Sequence, residues 1–456
     1  MTLGEARRVH FIGIGGAGMS AIAKVLLERG TNVSGSDLKG SRAATVLAAM
    51  GADVSIGHDA ALVDGADLVV VSSAIPERNP ELEHARAIGA EVITRGEALA
   101  ALLADFRSLV VAGTHGKTTT TSMIVSILRS AGLDPTYLVG GGLNDSGTNA
   151  RSGSGDLAIA ESDESDGSFL MLRPRIAVIT NIEMDHVDHW SSLAELNEAF
   201  DRFIQGTDRA GTVIVPAGGD LETRARTLAA SIITFGAGGD VTANDVESEG
   251  HKTRFVLHWH GAAAPVELHA VGAHNVANAA AAAAAALAVG VELPDVAAGL
   301  GTFRGVERRF DLLGTAGGVT VVDDYAHHPT EIKATLAAAR AGRWERVVAV
   351  FQPHRYSRTA ALSEAFGGSF EDADRVVVTD VYGAGEDPVP GVTGKLISDS
   401  VCSTIPGRPV AYIPHRGDVV AYLAAMAGPG DLVLTLGAGD ISSVGGELLS
   451  RLGAEA

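Results

Sequence analysis

Apolar residues recur along this chain in two alternating rhythms: short continuous runs, and longer stretches in which they return every three or four positions. Runs at 9–14, 32–35, 67–72 and 91–94 predict strands, and stretches at 18–28, 43–50, 80–88 and 95–103 predict helices. Strands that alternate with helices of this length imply a parallel sheet with right-handed crossovers. A polar connector at 104–107 marks a boundary, after which a strand at 108–112 and a helix at 119–131 open a second series. Strands at 157–160, 176–180, 212–215 and 232–235 continue it, and the uncharged, alanine-rich run 268–291 predicts a long helix. A third series has strands at 319–323, 347–351, 375–379, 410–413 and 432–436. The expected fold class is α/β in three domains, 1–107, 108–313 and 314–456, with mainly parallel sheets.

The 456 residues are enough for about three domains of ordinary size. A hydrophobic content of 46% with 56 glycines suits many tight strand-to-helix turns. The single cysteine, Cys402, excludes an intramolecular disulfide and a cysteine-based zinc site, so a reducing cytoplasm is the expected location. Residues 1–9 carry Glu5, Arg7 and Arg8 and lead straight into the first strand without an apolar h-region, and no export is expected. His269, His274, Asn275 and Asn278 interrupt the 268–291 run, which is therefore expected to be a water-soluble helix and not a membrane insertion. A formal net charge of −20 opposes nucleic-acid binding, which needs a basic footprint. Any anionic substrate must be met by local cations and helix N-termini against that field.

Candidate chemistry gathers at predicted strand ends. Gly113-Thr114-His115-Gly116-Lys117-Thr118-Thr119 joins a buried strand to a helix that opens with Lys-Thr, the layout of a triphosphate cradle of P-loop type. The match departs from the full pattern in one place, because Val111 stands where a glycine is expected. Gly13-Ile14-Gly15-Gly16-Ala17-Gly18 follows the first strand, and Asp37 ends the next, as in a Rossmann-like dinucleotide site. The physics of that loop specifies a diphosphate beside a ribose, and a UDP-sugar has both. Glu161, Asp163, Glu164 and Asp166 follow the strand at 157–160, where hard oxygen ligands suit Mg²⁺. His186 beside Asp185 ends the strand at 176–180. Asn275 and Asn278 share one helix face, and Arg308-Arg309 form a candidate phosphate clamp. Two further loops, 323–329 and 352–359, are rich in His, Tyr and Arg and read as an anion site.

Taken in order, these segments resemble the Mur ligase family over essentially the whole chain. The carrying motifs are GIGGAGMS at 13–20, GTHGKTTT at 113–120, ESDESDGSF at 161–169 and NIEMDHVDHW at 181–190, then HNVAN at 274–278, ERRFD at 307–311, DDYAHHPTE at 323–331 and QPHRYSRT at 352–359. The resemblance implies a Rossmann-like UDP-sugar domain, a central P-loop ATPase-like domain and a Rossmann-like C-terminal domain that brings the amino acid. It implies ATP-dependent joining of L-alanine to the lactyl carboxylate of UDP-N-acetylmuramate through an acyl phosphate, in peptidoglycan precursor synthesis. Lys117, Glu161, His186 and Arg309 would be catalytic. ATP would meet Gly113, Thr114, His115, Gly116, Lys117, Thr118, Thr119, Asn275, Asn278, Arg309 and Asp323. The UDP-sugar would meet Gly15, Gly16, Gly18, Met19, Ser36, Asp37 and Ser72, and the amino acid Tyr325, His327, Arg355 and Arg358. Thr118, Glu161 and His186 would hold Mg²⁺, or Mn²⁺ in its place, with Glu164 competing with Glu161.

One family feature is missing. Some relatives bridge their metals with a carbamylated lysine, but no lysine lies between Lys117 and Lys252. Other readings remain open at this point: a dinucleotide-dependent oxidoreductase built on residues 13–18, a ligase attaching a preformed peptide, and a non-catalytic nucleotide sensor. The expected partners are small molecules only, with a monomer or homodimer as the assembly.

Overall fold

The computed structural model describes residue 3 and residues 6–72, 74–186 and 189–454, so Val187 and Asp188 of the 181–190 motif lie outside the described residues. In the first domain β1 (Arg8–Ile12), β2 (Asn32–Asp37), β3 (Asp53–Ile56), β4 (Leu68–Val71) and β5 (Glu91–Thr94) form a parallel sheet ordered β3-β2-β1-β4-β5. Helices α1 (Ala17–Glu28), α2 (Arg42–Ala49), α3 (Pro80–Ala87) and α4 (Arg95–Leu103) alternate with these strands. Polar caps start three of them: Ser41 accepts from the Ala44 amide, Asn79 precedes Pro80, and Thr94 and Glu97 form a reciprocal box. Chain order reverses beside β1, so the crevice beyond its carboxyl end falls at the 13–18 loop. The hydrophobic pattern does not predict β3, an edge strand whose residues are all at least partly exposed.

The middle domain has a sheet of ten strands. β6 (Arg107–Ala112), β7 (Thr136–Leu138), β8 (Ala150–Arg151), β9 (Leu157–Glu161), β10 (Ile176–Ile179), β11 (Thr212–Pro216), β12 (Ile232–Phe235), β13 (Val241–Glu249), β14 (Lys252–Trp259) and β15 (Ala262–Leu268) stand in the order β15-β14-β13-β12-β11-β10-β6-β9-β7-β8. Pairing is parallel from β7 to β13, and the meander β13-β14-β15 is antiparallel. The helices are α5 (Lys117–Ser130), α6 (Leu193–Gly206), α7 (Gly219–Leu228), α8 (Ala273–Val289) and α9 (Leu293–Thr302). Because β9, β6 and β10 are neighbours, the carboxyl ends of three parallel strands open side by side. Residues 279–286 of α8 are all alanine and at most 1% exposed, which lets α8 lie close against α5, α9 and the sheet.

The third domain has β16 (Asp311–Ala316), β17 (Val319–Asp324), β18 (Arg346–Phe351), β19 (Arg375–Val378), β20 (Val410–Tyr412) and β21 (Asp431–Leu436), ordered β16-β17-β21-β18-β19-β20. Only β16 is antiparallel to its neighbour. Its helices are α10 (Pro329–Arg340), α11 (Tyr356–Phe366), α12 (Lys395–Thr404), α13 (Arg416–Met426) and α14 (Ser442–Ala454). β16 pairs with β17 from Asp311 onward, so a boundary drawn between 313 and 314 falls inside a strand of the third sheet. The ends of β17 and β18 flank β21 and carry the 323–329 and 352–359 loops toward the middle domain.

Candidate active site

In the first domain the glycine loop is held from below by its own neighbours. The Gly13 and Ile14 amides both donate to the Ser36 carbonyl, and the Gly15 amide donates to Asp37 Oδ2 at 3.0 Å. Gly15 has no room for a side chain, because a Cβ would lie 2.8 Å from that carboxylate oxygen and 2.7 Å from Ser41 Oγ. Gly18, in the first turn of α1, lies under Arg95, whose Nη2 donates to Asp166 Oδ2 of the middle domain at 2.8 Å. Gly15 and Gly18 reach the central cavity. Gly16 caps α1, and Ser72 stands against Gly13. Two expected ligand contacts are turned inward instead. Met19 is 1% exposed and Ser36 is fully buried, its hydroxyl donating to Glu81 Oε2 at 2.8 Å, so these side chains shape the loop and do not line the cavity.

The phosphate loop is fixed by β10. Thr114 and His115 amides donate to the carbonyl and the side-chain oxygen of Asn181, and Thr180 Oγ1 donates back to the His115 carbonyl at 2.6 Å. Gly113 and Gly116 take φ of +123° and +80°, and a Cβ on Gly116 would collide with Asn278. Lys117 Nζ curls back to the Gly113 and Thr114 carbonyls and to Glu164 Oε2 at 2.9 Å. Burial works against its charge, but Glu164 and Asp163 outweigh it and hold its pKa above the ordinary value. Thr118 Oγ1 donates to Glu161 Oε1 at 3.2 Å. Thr119 is buried in the first turn of α5.

Asn275 and Asn278 do not face the cavity. Asn275 Nδ2 donates to the Val271 carbonyl at 2.8 Å, Asn278 Nδ2 donates to Asn275 Oδ1, and Thr120 donates to Asn278 Oδ1. The pair buttresses the loop from behind Gly116, which corrects the expectation that both amides project toward a nucleotide.

Asp163, Glu164 and His186 bring ligand atoms within 4.8 Å of one another. Glu161 Oε2, Glu164 Oε1 and His186 Nδ1 are buried and have no hydrogen-bond partner. Burial raises the carboxyl pKa of Glu161 and of Glu164, as expected where carboxylates await a cation. Asp163 is different: burial opposes its charge, but Lys117 and His186 bring it down to about 2. Carboxylates, a threonine hydroxyl and an imidazole form a donor set that fits Mg²⁺ or Mn²⁺. Glu161 stands with Thr118, and Glu164 stands with His186. Asp163, one of the four acids that end and follow β9, joins Glu164 and His186 as a candidate ligand, although the family resemblance points to Glu161 or Glu164.

The third domain closes the cavity, with two of its expected ligands already engaged. Asp323 is 2% exposed, accepting from Arg308 Nε at 2.9 Å and from Thr435 Oγ1, so it is not directed at ATP as expected. Arg358 donates Nε and Nη2 to Asp185 Oδ1 at 3.0 and 2.9 Å, and Nη2 to Oδ2 at 3.1 Å, pinning the third domain to the end of β10. That bidentate pair occupies the guanidinium expected to receive an amino-acid carboxylate. Arg308 and Arg309 each place their guanidinium 5.0 Å from the Tyr325 ring centre. His327 and His354 have ring centres 5.7 Å apart, and burial lowers them to about 4 and about 3, so both imidazoles are neutral at pH 7.

These surfaces line one cleft, open to solvent, of about 870 Å³, with residues from all three domains. Gly15, Gly18 and Arg95 come from the first, Lys117, Glu161 and His186 from the second, and Arg309, His327 and Arg355 from the third-domain side. Sequence models described as "Mur ligase family, catalytic domain", "Mur ligase middle domain" and "Mur ligase, glutamate ligase domain" match residues 8–107, 111–286 and 308–439. A protein of Rubrobacter xylanophilus named UDP-N-acetylmuramate–L-alanine ligase is 51% identical over 98% of this chain and 100% of its own. The chain belongs to the Mur ligase family. A ligase of the same name from Mycolicibacterium smegmatis is 46% identical, with 98% of this chain and 95% of its own covered. Among solved structures, the UDP-N-acetylmuramate–alanine ligase of Thermotoga maritima superposes with a TM-score of 0.84 at 30% identity, covering 98% of this chain and 100% of its own. A murein peptide ligase of Psychrobacter arcticus gives 0.73 at 26% identity, over 98% and 99%. Within this Mur-ligase architecture the sequence motifs meet at one cavity. What they did not show were residues acting through long-range pairs: Asp185 with Arg358, Arg95 with Asp166, and His354 beside His327.

Proposed function

We propose that this protein joins L-alanine to the lactyl carboxylate of UDP-N-acetylmuramate, with cleavage of ATP to ADP and phosphate. The observation that carries this reading is the single cavity in which a glycine-loop domain, a phosphate loop with unpartnered carboxylates, and a loop pair bearing His327 and Arg355 converge. The sugar nucleotide is held at the 13–18 loop, with its lactyl group reaching toward Lys117. A lactyl oxygen attacks the γ-phosphorus, the bond to the β-phosphate oxygen breaks, and ADP leaves. Lys117 and Arg309 spread the charge of the transferring group. Thr118, Glu161, Glu164 and His186 would hold Mg²⁺, which would supply further neutralisation of the phosphates. The amine of alanine then attacks the acyl carbon, and phosphate departs with the former lactyl oxygen.

A free amine is required for that step: alanine gives its proton to solvent on entering the site, and the neutral imidazole of His327, which burial keeps from protonating, is left to accept a hydrogen bond from the amine. Arg355 receives the alanine carboxylate, and Tyr325 bounds the side chain. Approach of the three domains on bound substrates would keep water from the acyl phosphate. Among the described residues no helix is long and apolar enough to cross a membrane, and we place the reaction in the cytoplasm, where ATP is available.

The test is ADP release by the purified protein supplied with ATP, Mg²⁺, UDP-N-acetylmuramate and one acceptor at a time. Alanine should be preferred, and glycine should be poorer by about 1 to 3 kcal/mol in kcat/KM for its missing methyl group. Release that requires a preformed peptide, or that ignores the sugar nucleotide, would overturn the assignment.

A further inference from the structure

His115, the third residue of the phosphate loop, stands between carboxylates of two different domains. Its Nε2 lies 3.0 Å from Glu183 Oε2, on the segment after β10, and its Nδ1 lies 3.4 Å from Glu331 Oε1, in the first turn of α10. The outer oxygens of both carboxylates are also occupied. Glu183 Oε1 accepts from Thr330 Oγ1 at 2.6 Å, and Glu331 Oε2 accepts from the His327 and His328 amides at 3.0 and 3.3 Å. Adjacent residues of α10, Thr330 and Glu331, therefore grip the same His115–Glu183 unit from the third-domain side. The backbone of His115 cannot yield to this grip, because Asn181 and Thr180 hold its amide and carbonyl.

The charge state fits the geometry. Burial disfavours an imidazolium here, yet two facing carboxylates outweigh it and raise His115 to about 9. His115, Glu183 and His328 also bring possible metal ligands within 4.8 Å. A metal would need lone pairs that are already committed. Both nitrogens of His115 face carboxylates, and His328 Nδ1 accepts from the Thr330 amide at 3.4 Å, leaving the proton on Nε2. The arrangement is an ion-paired pin.

We propose that His115 is a positioning residue that couples the phosphate loop to the amino-acid loop, registering the first turn of α10, and with it His327, against the loop that carries Lys117. This rests on the alanine-ligase reading for its kinetic consequence but not for its structural one. Neither nucleotide chemistry nor alanine contact is assigned to the imidazole itself.

Two measurements test the pin, with His115→Leu, His115→Gln and Glu331→Gln in the full-length protein. In ligand-free enzyme, hydrogen exchange of amides 327, 328 and 330–332 should quicken about tenfold or more in His115→Leu while amides of α5 keep their protection, because a partly buried ion pair has been cut. In kinetics, His115→Leu and Glu331→Gln should each raise the apparent KM for alanine about tenfold, and the double variant should be no worse than the poorer single. UDP-N-acetylmuramate affinity by calorimetry should stay within about twofold of wild type, which a general folding defect would not allow. His115→Gln, which keeps one donor, should recover part of the loss. Unchanged exchange at 327–332, or KM effects that multiply in the double variant, would overturn the pin. A wild-type enzyme that ignores alanine would overturn the functional reading and leave the exchange result to decide this one.

Discussion

Arg358 and Asp185 are separated by 173 positions and meet as a buried bidentate pair, 5% and 6% exposed. Burial opposes the Asp185 charge, and Arg358 is the largest influence that overrides it, holding the carboxyl well below its usual range. Removing one partner of such a pair leaves the other charge buried and alone, at a cost of about 3 to 5 kcal/mol. Arg358→Ala should therefore lower the thermal midpoint strongly. Arg355→Ala, whose guanidinium is only 3.9 Å from Glu386 and lines the cavity, should change stability little and raise the alanine KM. Equal stability losses in unfolding scans of the two variants would contradict this division. Titration adds a second residue-scale expectation. Burial pushes His274 and His327 down to about 4 and His354 to about 3, from an ordinary value of 6.5. Between pH 6.5 and 4 the unfolded chain takes up protons at these sites and the folded chain does not, so stability falls with acid, by at most about 1.4 kcal/mol per unit per histidine. His115, held at about 9 in the fold, offsets part of the loss only while its unfolded imidazole is still being protonated, above about pH 6, and Asp324, raised to about 6 by burial, offsets part of it below. Between pH 6.5 and 5 the midpoint should fall more steeply with acid in wild type than in His354→Gln; parallel profiles would show that the His354 imidazole is not buried neutral.

Among the elements, α8 shows both what the sequence carried and what it withheld. A run of alanines is legible as helix from propensity, but it has no polar face, so no period tells how deeply it sits. In the fold, 279–286 is among the most deeply buried segments of the middle domain. Across the same core, Gly299 of α9 lies so close to α5 that a Cβ would come 2.5 Å from Ile127 Cα. Ala282→Leu adds three carbons where none fit and should cost about 1 to 3 kcal/mol by overpacking. Because Asn275 and Asn278 on the same helix buttress Gly116, turnover should fall as well. Denaturant midpoints and ADP release would check both, and an unchanged midpoint would mean that α8 has slack which the buried alanines deny. The meander β13-β14-β15 was illegible for the opposite reason. β13 is mostly exposed beyond its first residues, and β15, at the sheet edge, opens on three alanines and carries Pro265, so that its alternation is confined to the short stretch Ala264, Val266 and Leu268. Parallel strands buried on both faces, such as β6, β10 and β18, announced themselves as unbroken apolar runs.

At the scale of the whole molecule, three sheets each present strand ends to one cavity, and the loops at those ends held the motifs that the sequence made visible. Loop residues were legible because their chemistry is local: glycines at positive φ, a lysine at a helix start, acids after a strand. Residues that join domains were not, since nothing in the spacing pairs Arg95 with Asp166 or His115 with Glu331. The domains nevertheless have separate sheets, and the first makes its own glycine-loop contacts through Ser36 and Asp37 without help from the phosphate loop. Lys117, in contrast, belongs wholly to the middle domain, where it compensates Glu164 and Asp163. Lys117→Ala should then separate the two functions. Losing a principal stabiliser of transferring charge should reduce turnover about 10²- to 10³-fold, and calorimetric affinity for UDP-N-acetylmuramate should remain within about twofold, since binding at the 13–18 loop depends on another domain. The one route by which the loss could spread is the Arg95–Asp166 bridge, which joins the first domain to the acidic loop that Lys117 neutralises. Affinity that collapses in Lys117→Ala but survives in Asp166→Asn would show that the domains are not independent binding units and that sugar-nucleotide capture already requires the phosphate loop.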